Sequence, residues 1–123
     1  MEIDRLELLE SILNAFPYPI VFVDDSFTIR YMNRQADYQY HTVRGYPNLI
    51  GRNLLDCHHN EAVRQRIREN WEGMKRDGKP RFVSVNLDNQ RLYMQPVRDR
   101  AGNFIGFFER FELNLALPPT PHR

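Results

Sequence analysis

The sequence lacks several features that would assign it to a specialised class of protein. It has a single cysteine, so no internal disulfide can form, as expected in a reducing compartment. No apolar run approaches the roughly 20 residues of a membrane span, and the N-terminus lacks the basic-then-apolar pattern of a signal peptide. A formal net charge of +1 provides no field that attracts nucleic acid or an anionic membrane. We therefore expect a cytoplasmic protein that binds neither.

The composition that is present is that of one folded domain. The chain has 123 residues, close to the commonest domain size, and its 41% hydrophobic and 27% charged residues match ordinary soluble domains. It contains no glycine-rich phosphate loop and no paired carboxylates in an apolar setting. The sequence therefore predicts a single hydrophobic core and a protein that is not an enzyme.

An amphipathic helix is predicted over residues 1–16. Its apolar residues recur at alternating steps of three and four, and they are Leu6, Leu9, Leu13 and Phe16. Leu8 and Ile12 widen this face beyond a coiled-coil seam, and Pro17 and Pro19 end the helix. Two interpretations remain open: the helix packs on its own domain, or it also forms a homodimer by pairing these four residues with a second copy.

Two short strands are predicted after this helix, over residues 20–23 and 27–31. The first is continuously apolar, whereas in the second Phe27, Ile29 and Tyr31 alternate with polar residues. The polar residues between the strands favour a turn, because their short side chains can bond their own backbone. They are Asp24, Asp25 and Ser26. Residues 33–55 are irregular, which indicates short helical pieces and turns that wrap over a sheet.

A long helix and three further strands complete the pattern. In the segment 60–78, one face of the helix carries Val63, Ile67, Trp71 and Met74. Asn60 is a suitable N-cap, and Gly78 marks the other end. The three strands are expected within residues 81–87, 91–97 and 103–113. The order predicts an α+β fold, in which helices cover one face of an antiparallel sheet.

Two quoted segments give this order a family resemblance. They are "PIVFVDDSFTIRYMN", in which Asn33 ends the second strand, and "PVRDRAGNFIGFFERFE", a strand, an Asp-x-x-Gly turn and a strand. The chain resembles a PAS domain over residues 8–113. The segment "IGRNLLDCHHNEAVRQRI", with "MKRDGKPRF", is similar to a PAS subgroup with Gly-Arg and Cys-His before the long helix. His59 and Asn60 stand where that subgroup usually has prolines.

The resemblance implies a five-stranded antiparallel sheet curved around a small cavity, with the helices on its concave face. It also implies a sensory role: the domain detects a ligand, a redox state or a partner and signals through contacts with a partner protein. We expect three regions, namely the helix at 1–16, the PAS-like domain at 17–114 and a flexible proline-rich tail at 115–123. We expect no output domain after this tail within the 123 residues, so the chain either acts alone or is one module of a longer receptor.

The cluster Asp56-Cys57-His58-His59 has several interpretations. In the first interpretation, the cluster is a junction between helices, with Cys57 packed as a small apolar residue and the histidines bonded to backbone groups. Alternatively, His58 or His59 is the axial ligand of a haem, or Cys57 is sensitive to oxidation. A zinc site is disfavoured because no second pair of ligands stands at a suitable spacing, and a catalytic pair is disfavoured because His58 directly follows the sulfur.

We expect the cavity to be lined by residues that combine apolar bulk with a few polar tips. The candidates are Phe22, Tyr31, Met32, Tyr38, Leu54, Cys57, His58, His59, Ile67, Trp71, Phe82, Tyr93, Met94 and Phe107. The predicted function is that of a sensory module that binds a small ligand or cofactor and signals through dimer or partner contacts. The alternatives are a haem-binding gas or redox sensor, and an interaction module that has no ligand.

Overall fold

The computed structural model describes residues 2–114, and the proline-rich tail predicted at 115–123 lies outside them. The predicted α+β fold with a five-stranded antiparallel sheet is confirmed. The helices are α1 (Arg5–Ala15), α2 (Arg34–Asp37), a π-helix (Tyr38–Val43), a 3₁₀ helix (Leu54–Cys57) and α3 (Glu61–Asp77). The strands are β1 (Val21–Asp24), β2 (Ile29–Met32), β3 (Arg81–Val85), β4 (Gln90–Arg98) and β5 (Phe104–Leu113). None of the helices in residues 2–114 is long and apolar enough to cross a membrane.

The central strand of the sheet is β5, which is also the last strand in the chain. The spatial order is β2-β1-β5-β4-β3, and every neighbouring pair is antiparallel. Phe107 of β5 lies opposite Val23 of β1 and Pro96 of β4, so its side chain points to the same face as theirs. The core forms between this face and α3, and its buried residues are Val23, Ile29, Trp71, Met74, Met94 and Phe107.

The long helix α3 covers the core with the half that contains Trp71. The Asn60 side chain accepts hydrogen bonds from the N–H groups of Ala62 and Val63, and Gly78 ends the helix in the left-handed conformation. The predicted helix and both of its ends are confirmed. Val63, predicted on the buried face, is exposed, because the N-terminal half of α3 borders an open cleft instead of the core.

Phe27 does not begin β2, as the alternating pattern predicted, but belongs to the preceding turn. Its φ of 59° is left-handed, and its N–H donates to the Asp24 carbonyl at 3.1 Å. The Asp24 carboxylate also accepts from the N–H groups of Ser26 and Thr28. These bonds lengthen the turn beyond the three polar residues and place the Phe27 ring 4.2 Å from that of Trp71, centroid to centroid.

The side chain of Asn33 joins three segments of the chain, and it is fully buried. Its amide oxygen accepts from the N–H groups of Ile20 at 2.9 Å and Ala36 at 3.0 Å. Its amide nitrogen donates to the carbonyl groups of Leu13 and Tyr18, each at 3.0 Å. One side chain therefore caps α2 and fixes both the end of α1 and the segment that enters β1.

The predicted N-terminal helix forms as α1, but it contributes no buried residue. Asp4 caps it by accepting from the Glu7 N–H at 2.8 Å. Its apolar side chains remain largely exposed in the single chain, at 69% for Leu6, 50% for Leu9, 56% for Ile12 and 45% for Phe16. Within residues 2–114, the hydrogen bonds between α1 and the rest of the domain lie at its C-terminal end, through Asn33 and through Asn14, which accepts from the Arg34 N–H.

We predict that Asn33→Ala lowers the free energy of unfolding by about 3 kcal/mol, because two N–H groups and two carbonyls in buried or part-buried bonds lose their shared partner. Urea unfolding followed by circular dichroism measures this loss. Asn48→Ala is the matched control, since Asn48 is exposed and accepts one bond, from the Ile50 N–H. The control should lose less than about 1 kcal/mol. Equal losses in the two variants would contradict the role assigned to Asn33.

Candidate ligand pocket

A pocket of about 400 Å³ lies between the sheet and the chain segment that runs from the π-helix to the start of α3. Its volume falls within the range of roughly 300 to 1,000 Å³ that is typical of small-molecule sites. Ile29 of β2 and Glu109 of β5 form the sheet side, which we call the floor. The remaining lining residues are Tyr40, Arg44, Tyr46, Pro47, Leu49, Arg52, Leu54, Asp56, Cys57, His58 and His59.

The π-helix and the turn after it position the aromatic side of the pocket. The Tyr46 N–H donates to the Tyr40 carbonyl at 2.9 Å, and Nδ1 of His41 donates to the Tyr46 carbonyl at 2.8 Å. The Arg44 guanidinium lies 5.4 Å from the ring centroid of Tyr40 and 5.2 Å from that of Tyr46. Arg44 is thus held at the exposed edge of the pocket by two aromatic rings.

The 3₁₀ helix forms the opposite wall and is fixed to the edge of the sheet. Ile29 of β2 donates its N–H to the Arg52 carbonyl at 2.9 Å, and its own carbonyl accepts from the Gly51 N–H at 2.7 Å. The Asn53 side chain then caps the 3₁₀ helix, and the Cys57 thiol lies 3.5 Å from the Asn53 carbonyl. This wall is therefore joined to β2 by backbone hydrogen bonds.

Glu109 presents a carboxyl group to the pocket from the floor. It lies opposite Met94 in the β4–β5 ladder, so it shares the core-facing side of the sheet. No hydrogen bond or ion pair to its side chain occurs within residues 2–114. Burial raises the pKa of Glu109 above its ordinary value of 4.5. Burial and then the Glu109 charge raise the pKa of Tyr40, and both residues line the pocket.

The two histidines of the pocket differ in their surroundings. His58 is half-buried and His59 is exposed. Burial lowers the pKa of His58 below 6.5, and the neighbouring His59 lowers it further. The His58 imidazole is therefore neutral at pH 7, and a neutral ring has a nitrogen lone pair available to a metal or to a hydrogen-bond donor.

Comparison with known proteins assigns the fold to a family. The sequence model described as "PAS domain" matches residues 9–112. The chain belongs to the PAS domain family. No curated protein matches it in sequence.

Several solved structures are similar to this PAS domain. A C-terminal domain from Streptococcus mutans has a TM-score of 0.69 and 21% identity, over 94% of this chain and 92% of that one. The VqmA dimer of Vibrio cholerae gives 0.60 and 18%, over 98% and 56%. The Aer2 receptor of Vibrio cholerae, described as a dual PAS-heme oxygen sensor, gives 0.51 and 18%, over 76% and 91%. At these identities the similarity establishes the fold alone.

The PAS domain brings together four of the predicted cavity residues, namely Leu54, Cys57, His58 and His59. The junction that was one interpretation of this cluster is also present, since the 3₁₀ helix ends at Cys57 and Asn60 caps α3. The two histidine rings, however, form no hydrogen bond to backbone groups in the described part of the chain. In that same part, no three histidine, cysteine or acidic residues are grouped to hold a metal ion.

Six of the other ten predicted residues lie outside the pocket in three places. Trp71, Met94 and Phe107 are buried in the core, and Met32 packs against them. Ile67 borders a second cleft between α3 and the strands β3 and β4, which Met94 also reaches. Tyr38, at the start of the π-helix, is exposed. These six candidates therefore lie in the core, at the second cleft and on the surface.

Strand alternation explains the position of the four remaining predicted residues, which lie on the opposite face of the sheet. Val23 and Met94 point into the core, so their neighbours Phe22 and Tyr93 point away from it. Tyr31 lies opposite Phe22, and Phe82 lies opposite Tyr93, with 5.7 Å between the last two ring centroids. These residues were predicted by their aromatic type, and the register places them away from the pocket.

Sequence reasoning did not identify the floor carboxyl or the aromatic wall of the pocket. The missed residues include Tyr40, Arg44, Tyr46 and Glu109. For Glu109 a signal existed, because Phe107, Glu109 and Phe111 occupy alternate positions of one strand and hence one face. A carboxylate within an apolar strand face is a candidate for function. Tyr40 and Tyr46 lie in an irregular segment that has no periodicity to interpret.

We predict that Glu109→Gln becomes increasingly stable relative to the unchanged protein as the pH rises from about 4 to 8. The folded state binds the Glu109 proton more tightly than the unfolded state, so this group destabilises the fold as the pH rises above about 4.5, its unfolded value. Urea unfolding at a series of pH values measures the difference between the two proteins. Since His58 titrates in both, subtraction isolates Glu109.

Glu112→Gln provides the control for loss of a negative charge from β5. Glu112 lies on the other face of that strand and forms an ion pair with Arg110. A pH-independent difference between Glu109→Gln and the unchanged protein would contradict the raised pKa.

Proposed function

We propose that this PAS domain is a sensory module that binds a small organic molecule in the pocket between the π-helix and the 3₁₀ helix. The observation that carries this proposal is the Glu109 carboxyl, which faces the pocket without a partner in residues 2–114. Removing a carboxylate from water without a hydrogen-bonding partner costs free energy. A ligand that bonds to Glu109 offsets this cost.

The signal passes from the pocket to α1 through the sheet. The 3₁₀ wall is hydrogen-bonded to β2, and the floor strand β5 is paired with β1. Asn33, which follows β2, binds the Leu13 carbonyl at the end of α1. Occupancy shifts the orientation of α1 only if the ligand binds one orientation more tightly than the other.

The output of the module is a homodimer that is formed through α1 and contacts a signalling partner. The uncovered apolar side chains of α1 include the predicted dimer residues Leu6, Leu9 and Phe16, together with Ile12, whereas Leu13 is less exposed. A helix that leaves such a stripe in water is stabilised when a second copy covers it. The similar VqmA structure is described as a dimer, and the match covers 98% of this chain, which includes α1.

Haem binding is a second candidate function, and the position of His58 favours it. The neutral imidazole borders the pocket, and haem iron needs only one or two axial ligands. His59 is the alternative ligand from the same wall. Haem would supply gas or redox chemistry to the sensor. Among the similar structures, the Aer2 receptor is described as a PAS-heme oxygen sensor.

We predict that a small ligand raises the melting temperature of the protein. The ligand is found either bound to the freshly purified protein or by screening a library of small polar compounds. Native mass spectrometry and thermal unfolding measure binding. A ligand present at about 100 times its Kd stabilises the folded state by about 2.7 kcal/mol. Replacing Leu49→Trp, which fills the pocket, should abolish the shift, whereas Val63→Trp at the second cleft should not.

The absorption spectrum of the same preparation separates the two candidates. A Soret band that His58→Ala or His59→Ala removes would establish haem as the ligand. Bare polypeptide in the mass spectrum, combined with no stabilising compound, would leave only an interaction module with no ligand.

We predict that the double variant Leu9→Glu, Ile12→Glu converts a dimer into a folded monomer. Leu9 is 50% and Ile12 is 56% exposed in the single chain, and neither contributes to its core. Sedimentation velocity measures the mass, and circular dichroism verifies the fold. Ser11→Glu places the same charge on the other side of α1 and should leave the dimer intact. An unchanged sedimentation coefficient in the double variant would refute pairing through α1.

A further inference from the structure

We propose that the pocket selects a small organic base, a ligand that directs a cationic or N–H-rich nitrogen group at Glu109 and places an aromatic ring beside Tyr40. This inference rests on the proposed function and specifies its ligand class. It follows from where the charges of the pocket lie and from which of them already have partners.

Glu109 is the carboxyl at the floor of the pocket, whereas Asp56 and the positive charges of Arg44 and Arg52 lie at exposed positions of its wall and edge. Arg44 and Arg52 line the pocket but are exposed, and neither takes part in an ion pair within residues 2–114. The guanidinium of Arg44 lies over the rings of Tyr40 and Tyr46 and leaves Glu109 without an internal cation. The ligand therefore supplies the cationic or N–H partner that Glu109 does not find within residues 2–114.

The chemistry of a half-buried carboxyl excludes other ligand classes. An anion at the floor would meet repulsion from the ionised form of Glu109, which is strong in a medium of low dielectric constant. An apolar ligand would remove the remaining water from the carboxyl and leave its oxygens unsatisfied. A nitrogen base with two N–H groups satisfies both oxygens at once, as arginine does in proteins, and charge-assisted bonds of this kind are the strongest hydrogen bonds available.

The walls define the rest of the ligand. Tyr40 is half-buried and lies close enough to Glu109 for that charge to act on its phenol. Leu49, Leu54 and Ile29 add apolar surface around the same space. A flat ring attached to the nitrogen group packs against these residues while its base reaches the floor.

The second cleft provides an internal comparison within the same molecule. It has a similar volume of about 360 Å³ and is lined by Asn60, Ala62, Val63, Arg66, Ile67, Asn70, Val83, Ser84 and Met94. No carboxylate lies among these residues. An organic base that binds by general apolar attraction would enter both sites, whereas one recognised by Glu109 enters only the first.

The test uses three probes of nearly the same shape: benzamidine, benzamide and benzoate, which are cationic, neutral and anionic. Each is titrated into the full ¹⁵N-labelled chain, and amide chemical shifts are followed at Leu49 and Cys57 in the pocket and at Val63 and Val83 in the second cleft. We expect benzamidine to bind in the pocket about tenfold more tightly than benzamide, and benzoate to cause no shift there.

Two variants at Glu109 and one control complete the experiment. Glu109→Gln should weaken benzamidine binding about tenfold and bring it to the level of benzamide. Glu109→Met, of similar volume, serves the same purpose if the glutamine variant does not fold. Glu112→Gln, on the other face of β5, should leave the affinity for benzamidine unchanged.

The outcomes separate this inference from the proposed function. Benzoate binding as tightly as benzamidine, or benzamidine binding equally to Glu109→Gln, would overturn the ligand class and leave the pocket as a site. Shifts of equal size at the second cleft would also overturn it. If neither these probes nor the compound library perturbs the pocket amides, the sensory pocket itself is refuted.

Discussion

The fully buried side chain of Asn33 makes four hydrogen bonds that connect α1, the strand entry and α2. An amide is the only neutral side-chain group that both donates twice and accepts twice, so it satisfies two backbone N–H groups and two carbonyls together. Inside the protein an unsatisfied member of such a network is costly, which makes the arrangement all or none. The angle at which α1 leaves the domain therefore depends on Asn33, together with the bond from the Arg34 N–H to Asn14.

The sheet connects this junction to the pocket. The floor residue Glu109 belongs to β5, the central strand, which is paired on one side with β1 and on the other with β4. β1 is paired with β2, which ends beside Asn33 and which also holds the 3₁₀ wall through Ile29. The floor and the wall of the pocket are thus joined to α1 by the paired strands β5, β1 and β2 and by the Asn33 side chain.

The long elements could be predicted because each has a periodic sequence and its own end signals. For α3 the spacing of Ile67, Trp71 and Met74 sets the buried side, and Asn60 and Gly78 bond the backbone groups at its ends. The turn before β2 was predicted at the correct place but too short, because the Asp24 carboxylate also accepts from the Thr28 N–H, beyond the three polar residues. Local hydrogen bonds of that kind are not visible as a pattern in the sequence.

The sequence by itself determined the order of the elements, the PAS family and the cluster of Leu54, Cys57 and His58 at the pocket wall. Only the tertiary structure decided which face of each strand is buried, since a shift of one residue exchanges the two faces and register depends on partners distant in the chain. That choice placed Phe82 and Tyr93 on the outer face and Glu109 at the floor. The pocket exists because residues distant in sequence meet there. The pKa values of Glu109 and His58 shift only because the fold buries these side chains.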